Sequence, residues 1–332
     1  TLRVFRALGG VEAHEIRFGA FLDAIMSRYE ARLTAAAEAA AAASLPLAET
    51  AQIGAEEESL DALLSEIEPT PTNFVEGRRT VVDSPLVALK VAMGFVKEIQ
   101  PGRMFEDPEF GPRDPEDMAP LSLYYEGVPV MGSPSVERVR WRRLKAINAA
   151  GEFDKDGMKA SDVKQGELGD CWFVGALSVL ATQDDLVYNE VGLSMLKAEV
   201  SDEVATRLLR GVHPSLFHFL RRYGLYIFKF FKNCKWVYVI TDDYIPTDDN
   251  NPESNGIFAV CESSEEFWVQ MIEKAYAKLN GCYGSLIGGA INEGIKEMTG
   301  YPMESLNPTD NPQLWQTPSK LFSELDRLRR KK

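Results

Sequence analysis

The sequence predicts an α+β fold with a helical N-terminal extension, and three stretches support this prediction. Residues 11–45 combine an amphipathic pattern with an alanine-rich segment, which is typical of a helix. Residues 224–240 alternate apolar and polar side chains around a short turn, which is typical of a β-hairpin. Residues 267–280 repeat apolar side chains at helical spacing. We therefore expect helices packed with a small antiparallel sheet.

The elements between these stretches follow from breaks in the pattern. A second helix is expected over residues 56–67, where the PTPTN stretch at 69–73 ends it. A third helix is expected over residues 84–100, closed by the Pro-Gly pair that follows. The prolines and repeated acidic residues of 105–120 exclude a long regular element, so we predict an extended strap on a domain surface.

The second half of the chain predicts a helix, a hairpin and two more helices. A buried helix is expected from Trp172 to Ala181. The hairpin is expected to have strands at Leu225–Phe231 and Trp236–Ile240, joined by a turn at Lys232–Asn233. The amphipathic helix at 267–280 comes next, and a last helix is predicted over 318–330.

The composition limits the classes of function. Fifty acidic residues against 36 basic ones give a net charge of −14, which argues against nucleic acid as the main partner. No run approaches the ~18 apolar residues of a membrane span, so we expect no transmembrane segment. The four cysteines are widely spaced without a CxxC pair, which argues against a zinc ribbon or a disulfide framework and favours a reducing compartment. We expect a soluble cytoplasmic protein.

Cys171 stands where a glycine-punctuated polar run meets an apolar helical run. In the first turn of a helix, unpaired N–H groups stabilise a thiolate, which is the nucleophilic form of cysteine. Acyl transfer also needs donors aimed at the developing oxyanion. The backbone N–H of Cys171 and the side-chain amide of Gln165 can supply them. The alternative from position alone is a small buried apolar residue that starts a core helix.

The segment QGELGDCWFVGAL at residues 165–177 closely resembles the active-site segment of the calpain family, whose pattern is Gln-Gly-x-Leu-Gly-Asp-Cys-Trp. The resemblance continues in DDYIPT at 242–247, in EEFWVQMIEKAYAKLNGCYGSLIGG at 265–289 and in NEGIKEMTG at 292–300. Upstream, MFEDPEF and VRWRRLKAI resemble the entry strap of the family's catalytic core. The similarity covers roughly residues 103–325.

This resemblance implies a papain-like cysteine protease core, of which the chain holds the Cys-bearing first half. Residues 1–102 are then the helical extension, residues 103–312 the first subdomain, and residues 313–332 the start of a second subdomain that is truncated or missing. The implied function is that of a cysteine endopeptidase acting on protein substrates, with Cys171 attacking the scissile carbonyl. Gly289 falls where the family's backbone contacts the substrate chain.

The resemblance also implies a calcium site built from two carboxylates and two backbone carbonyls. Asp162 and Glu266 occupy the carboxylate positions, and Lys155 and Gly157 occupy the carbonyl positions. The acidic loop FDKDGMKASD around them can supply hard oxygen ligands, although it lacks the spacing of an EF-hand. The alternative is a solvated acidic turn. Calcium is therefore the candidate cofactor.

The expected general base of a cysteine protease is missing from this sequence. The family's Gly-His-Ala and Asn-Pro-Trp segments do not occur, and the chain has three histidines, His14, His213 and His218. We do not assign any of the three as the base. The histidine and asparagine partners are expected beyond Lys332, so the chain alone is expected not to hydrolyse peptides.

The alternative function is a catalytically inactive calpain-like module that serves as a scaffold. Residues 192–222 form an insertion relative to the animal enzymes, and calpain-like proteins of flagellated and ciliated protists resemble this longer version. Such relatives often sit on cytoskeleton or membrane and have often lost triad residues. The partners would then be cytoskeletal, as in an axonemal microtubule assembly, and the location the cytoskeleton or flagellum. A simple calcium-binding domain is a third alternative.

Overall fold

The computed structural model divides the chain into two compact units, one spanning Ser59–Tyr301 and one combining Thr1–Glu58 with Pro302–Lys332. The helices predicted at 11–45 and 56–67 lie outside the described residues. At 124–125 and 128–129 the description covers the backbone alone. The described residues are 68–111, 124–125, 128–129, 139–155, 157–182, 220–251, 254–303, 312, 319–323 and 327.

The largest described sheet has three antiparallel strands in the order β1 (Val81–Val82), β7 (Lys235–Asp242) and β6 (Leu225–Lys232). Strands β6 and β7 pair along their full length, which confirms the predicted hairpin. Its turn lies one residue later than predicted, at Asn233 and Cys234. Both residues have positive φ, 51° and 61°, as a two-residue type I′ turn requires.

The described residues also form three two-stranded antiparallel sheets of short strands. Strand β2 (Tyr124–Tyr125) pairs with β3 (Val128–Pro129). The other two pairs join distant segments, β4 (Val139–Arg143) with β8 (Tyr244–Asp248) and β5 (Val163–Lys164) with β9 (Val260–Cys261). The β5–β9 pair fixes the loop before Cys171 against the segment that precedes the central helix.

Five α-helices are described in the first unit, and short 3-10 turns connect several of the elements. The side chain of Ser84 caps the first helix by accepting from the Val87 N–H, and proline at the first helical position suits this start. The helices predicted over 84–100, 172–181 and 267–280 are confirmed to within two residues at each end. The helices are α1 (Pro85–Glu98), α2 (Leu144–Ile147), α3 (Cys171–Leu180), α4 (Trp268–Leu279) and α5 (Ile291–Thr299), and the 3-10 turns are Pro71–Asn73, Val75–Gly77, Ala160–Asp162 and Tyr283–Leu286.

Helix α4 lies in the centre of the main core, because every residue from Trp268 to Lys278 is buried. The aromatic rings of Tyr276 on α4 and Phe173 on α3 stack with centroids 4.1 Å apart. This contact joins the helix that starts at Cys171 to the centre of the fold. The arrangement of helices and small antiparallel sheets confirms the predicted α+β class.

A second, smaller core lies between α1 and the three-stranded sheet. It includes Leu89 from α1, Ile240 from β7 and Phe105 from the strap. Residues 81–98, which the sequence analysis placed in the N-terminal extension, therefore pack on the sheet through β1 and α1. The strap has no helix or strand over 105–111, as predicted.

The last predicted helix and the expectation of no transmembrane segment can be compared with the described residues. Residues 319–323 and 327 are helical, within the last helix predicted over 318–330. No helix among the described residues is long and apolar enough to cross a lipid bilayer.

Candidate active site

Cys171 is the first residue of α3, and its side chain is exposed. The residues that follow on the inner face of the helix, Phe173, Ala176 and Leu177, are fully buried. The alternative of a cysteine buried as a small apolar residue is therefore wrong. The thiol lies at the positive end of a helix that is anchored in the core, where solvent and a substrate can reach it.

At the start of α3, the backbone N–H of Cys171 is a hydrogen-bond donor next to the thiol. The carbonyl of Asp170 accepts from the N–H groups of Phe173 and Val174, at 2.8 and 3.1 Å. Among the described residues, the backbone N–H of Cys171 has no acceptor. Such an unpaired N–H in the first helical turn can bind the negatively charged oxygen of a tetrahedral intermediate.

The loop before the cysteine lies tightly against the segment at 257–258. The N–H of Glu167 donates to the carbonyl of Ile257 at 3.0 Å. A Cβ atom at Gly166 would come within 1.9 Å of the Phe258 carbonyl oxygen, so only glycine fits at this position. The glycine that follows the glutamine in the sequence motif is therefore explained by this close backbone approach.

The side chain of Gln165 is directed to the residue immediately before Cys171. Its Nε2 donates to Asp170 Oδ1 at 2.9 Å and to the carbonyl of Leu168 at 2.5 Å. These two bonds use both hydrogens of the amide group. The structure thus places Gln165 at the start of α3, and the amide has to exchange one of these acceptors in order to donate to an oxyanion.

Trp172 connects α3 to the loop that contains Gly289. Its indole N–H donates to the carbonyl of Leu286 at 2.8 Å, and the Gly288 N–H donates to the Gly169 carbonyl at 3.1 Å. A Cβ atom at Gly289 would lie 2.3 Å from the Trp172 ring, so glycine is required there as well. The exposed backbone of Gly289 therefore lies against the residue that follows Cys171.

Sequence reasoning missed a pair of carboxyl groups beneath the cysteine, Asp170 and Glu273. Both side chains are buried, with 0% and 1% of their surface exposed, and they are close enough that each affects the pKa of the other. Burial raises the pKa of both carboxyls, and the charge of Asp170 further raises the pKa of Glu273. Both residues lie within the motifs that carry the family resemblance, but a sequence pattern does not show that they meet.

Two of the four residues predicted to bind calcium, Lys155 and Glu266, are in direct contact. The carboxylate of Glu266 accepts from the Lys155 N–H at 2.9 Å, and that of Asp162 accepts from the Lys159 N–H at 2.8 Å. Both carboxylates are mostly buried. Both also lie near Cys261. Burial raises the pKa of the Cys261 thiol, and the charges of Glu266 and Asp162 raise it further.

The loop that precedes Asp162 supplies the predicted carbonyl positions. Lys155 and Gly157 are both on it, and Gly157 has a φ of +93°. Among the described residues, no three His, Cys, Asp or Glu side chains converge as metal ligands. A hard cation held here would therefore take two carboxylates and complete its coordination with backbone carbonyls, which is a donor set that calcium accepts.

The part of the chain that the structure describes contains no histidine. His14, His213 and His218 fall outside it, as does the insertion at 192–222 apart from its last three residues.

Comparison with known proteins gives the same assignment as the motifs. Residues 105–329 match the model of the calpain family of cysteine proteases. The chain is 32% identical to calpain-8 of Homo sapiens over 200 residues, 35% identical to calpain-5 of Mus musculus over 207 residues, and 33% identical to calpain clp-1 of Caenorhabditis elegans over 214 residues. These alignments cover 60, 62 and 64% of this chain, but 24, 28 and 22% of the relatives. The chain therefore spans about a quarter of the length of these relatives.

Proposed function

The chain belongs to the calpain family of cysteine proteases, and we propose that it forms the nucleophile-bearing half of a cysteine endopeptidase. The observation that carries the proposal is the exposed thiol of Cys171 at the first residue of α3. Free cysteine is a nucleophile through its thiolate, and a helix N-terminus stabilises that negative charge. A cysteine with a purely structural role at this position would have no need of exposure.

The proposed reaction begins with the attack of the Cys171 thiolate on the carbonyl carbon of the scissile peptide bond. A carbon–sulfur bond forms while the carbonyl π electrons move to oxygen, which becomes an oxyanion. The N–H of Cys171, which has no acceptor among the described residues, donates to this oxyanion. Gln165 supplies a second donor when its amide exchanges one of its two present acceptors.

When the tetrahedral intermediate collapses, the carbon–nitrogen bond breaks, and the amine leaves with the proton that a general base first took from the thiol. The acyl group stays on the sulfur of Cys171 as a thioester until water hydrolyses it. We propose that a histidine from a second half-domain supplies this general base and that an asparagine orients this histidine, as the calpain pattern implies. The surface for that half-domain would include the exposed edge of α3 at Cys171. On this proposal the 332-residue chain by itself does not hydrolyse peptides.

The substrate is proposed to be an extended protein chain lying along the loop at Gly289. This backbone is exposed, and Trp172 holds it next to Cys171. Main-chain groups at this loop can bind the substrate backbone without reading one particular side chain. A protein substrate therefore fits the site better than a small molecule.

Calcium is proposed as a regulator that binds Asp162, Glu266 and the carbonyls of Lys155 and Gly157. Both carboxylates are mostly buried, each accepts from a backbone N–H, and the charges of both raise the pKa of the Cys261 thiol. Bound calcium would neutralise the two carboxylates and draw the loop toward the central core. Since β5 follows Asp162 and leads to the Cys171 loop, this would couple the cation to the position of the active site.

We further propose that the protein acts in a reducing compartment such as the cytoplasm. All four cysteines, Cys171, Cys234, Cys261 and Cys282, are free thiols. An exposed free thiol retains its nucleophilic form where glutathione keeps it reduced.

The proposal is tested by alkylation of the full-length, calcium-loaded protein with iodoacetamide near neutral pH. Mass spectrometry then gives the rate at each cysteine. Cys171 is expected to react faster than Cys234, which is also exposed but lies in a hairpin turn, while the buried Cys261 reports unfolding. If Cys171 reacts no faster than Cys234, the nucleophile proposal fails and the inactive scaffold takes its place.

A further inference from the structure

We propose that Asp170 and Glu273 share a single proton beneath Cys171 and act as positioning residues for the thiol and its oxyanion donors. This inference rests on the proposed function of Cys171. The two carboxyls come from different elements, since Asp170 precedes α3 and Glu273 lies in the middle of α4. Their contact therefore fixes the start of the cysteine helix to the centre of the core.

The oxygens of Asp170 have different surroundings. Its Oδ1 accepts from Gln165 Nε2 at 2.9 Å. Its Oδ2 is fully buried, and no donor among the described residues reaches it. A buried oxygen without a donor costs about 1–3 kcal/mol, and more if the group is charged. The neighbour in contact with this carboxyl is Glu273, which can satisfy Oδ2 only by bringing a proton.

The proton belongs on Glu273 for two reasons. Both oxygens of Glu273 lie within reach of the Ala259 N–H, at 3.1 and 3.2 Å, so one oxygen can accept this bond while the other carries the proton. Burial and the charge of Asp170 raise the pKa of Glu273 well above that of an ordinary glutamate. Asp170, which also accepts from the Gln165 amide, is the better place for the negative charge.

The groups that face the pair are neutral. They are the Gln165 amide from the loop, the Ala259 N–H next to β9, and the Tyr283 ring from the 3-10 turn. Burial raises the pKa of Tyr283, so the phenol stays protonated. Among the described residues, neither carboxyl forms an ion pair, so a proton is the available source of neutralisation.

The pair positions the catalytic group through the backbone. With one shared proton, Asp170 remains an anion that holds Gln165 and thereby the loop that leads to Cys171. Loss of the proton places two negative charges in contact in a buried site, which repel each other and push Asp170 away from Glu273. The thiol and the N–H next to it would move with Asp170.

The test compares three forms of the full-length protein: wild type, Glu273→Gln and Glu273→Leu. The glutamine is a matched control, because its amide N–H₂ donates to Asp170 as the protonated acid does and its carbonyl accepts from Ala259. The leucine keeps the volume but gives Asp170 no donor. Infrared difference spectra at neutral pH report protonated carboxylic acids, and iodoacetamide labelling reports Cys171.

We expect the wild-type minus Glu273→Gln spectrum to contain the carbonyl band of one protonated carboxylic acid. The difference removes the signal of other buried acids. We also expect Glu273→Gln to keep the labelling rate of Cys171, and Glu273→Leu to lower it by about tenfold, in line with one unsatisfied buried acceptor.

Absence of the band overturns the inference, since the two carboxyls then hold no proton at neutral pH. Equal labelling of Cys171 in the leucine variant overturns the positioning role. If Glu273→Leu does not fold, the spectrum and the glutamine variant still decide the question. A band in wild type together with slow labelling of Cys171 supports the proton-sharing pair and refutes the proposed function, so the two failures are distinct.

Discussion

Trp172 donates its indole N–H to the carbonyl oxygen of Leu286 at 2.8 Å, and this one bond joins the start of the cysteine helix to the loop at Gly289. The bond is part-buried, and the ring lies flat enough against Gly289 that no Cβ atom fits between them. The nucleophile and the proposed substrate-binding backbone are therefore positioned relative to each other by this bond and by the backbone bond from the Gly288 N–H to the Gly169 carbonyl.

Replacement of Trp172 by phenylalanine is expected to lower the free energy of unfolding by about 1 kcal/mol or more, because the buried carbonyl of Leu286 loses its donor while an aromatic ring remains. Urea denaturation measures this change. An unchanged free energy of unfolding would show that the bond between Trp172 and Leu286 does not stabilise the loop.

Replacement of Gly289 by alanine is expected to destabilise the protein by about 1–3 kcal/mol, since the added Cβ would come within 2.3 Å of the Trp172 ring. Gly94→Ala is the matched control. Gly94 lies inside α1 with nothing within 4 Å of an added Cβ, so alanine is expected to be neutral or to stabilise by about 0.5–1 kcal/mol. Equal effects of the two substitutions in urea denaturation would contradict this reasoning.

Replacement of Lys278 by methionine is expected to cost about 3–5 kcal/mol, because it leaves the Asp107 carboxylate buried without its cation. Lys278 also donates to the Ile240 carbonyl at 2.6 Å, so the lysine ties the strap and β7 to α4. Lys164→Met, which removes an exposed ion pair with Glu262, is the control and is expected to cost about 0–1 kcal/mol. A small effect at Lys278, measured by denaturant unfolding, would mean that the strap is held by other contacts.

The raised pKa of Glu273 predicts how stability depends on pH. A folded pKa above the unfolded value of about 4.3 means that the native state binds more protons than the unfolded state, so this group's contribution falls as pH rises from about 4.3 towards the folded pKa. The slope is at most about 1.4 kcal/mol per pH unit for one proton. Glu273→Gln cannot titrate and is expected to remove this slope.

The measurement is urea denaturation at several pH values across the neutral range. Glu262→Gln is the control, because Glu262 is exposed and its substitution should leave the pH profile of wild type unchanged. An identical pH profile for Glu273→Gln and wild type would contradict a protonated Glu273.

Calcium is expected to raise the melting temperature of the wild-type protein, because a ligand that binds only the native state stabilises it by about 2.7 kcal/mol at a hundredfold excess over Kd. Asp162→Asn is expected to abolish the shift, while Glu262→Gln, which changes a nearby exposed carboxylate, should retain it. Differential scanning calorimetry with calcium and with magnesium measures the effect. No calcium-specific shift in wild type would refute the proposed site.

In helix α4, the apolar periodicity of the sequence predicted the burial of some residues but not of others. Its spacing predicted an apolar face that includes Met271, Ile272 and Ala275, and all three are fully buried. Glu273 and Lys274, which lie between these positions, are buried as well, and the pattern gave no indication of it. Periodicity separates the apolar stripe of a helix from its other positions, and it cannot show that the remaining sides are covered as well.

The sequence by itself determined the local features of the site: the helix that begins at Cys171 and the hairpin. These depend on helix and turn propensities and on a motif of adjacent residues. The tertiary structure alone decided which polar groups meet in the core, because Lys278 finds Asp107 171 residues away and Glu273 meets Asp170 from a different helix. A buried charge is stable only with a partner in contact, and long-range chain packing, not local sequence, brings that partner to it.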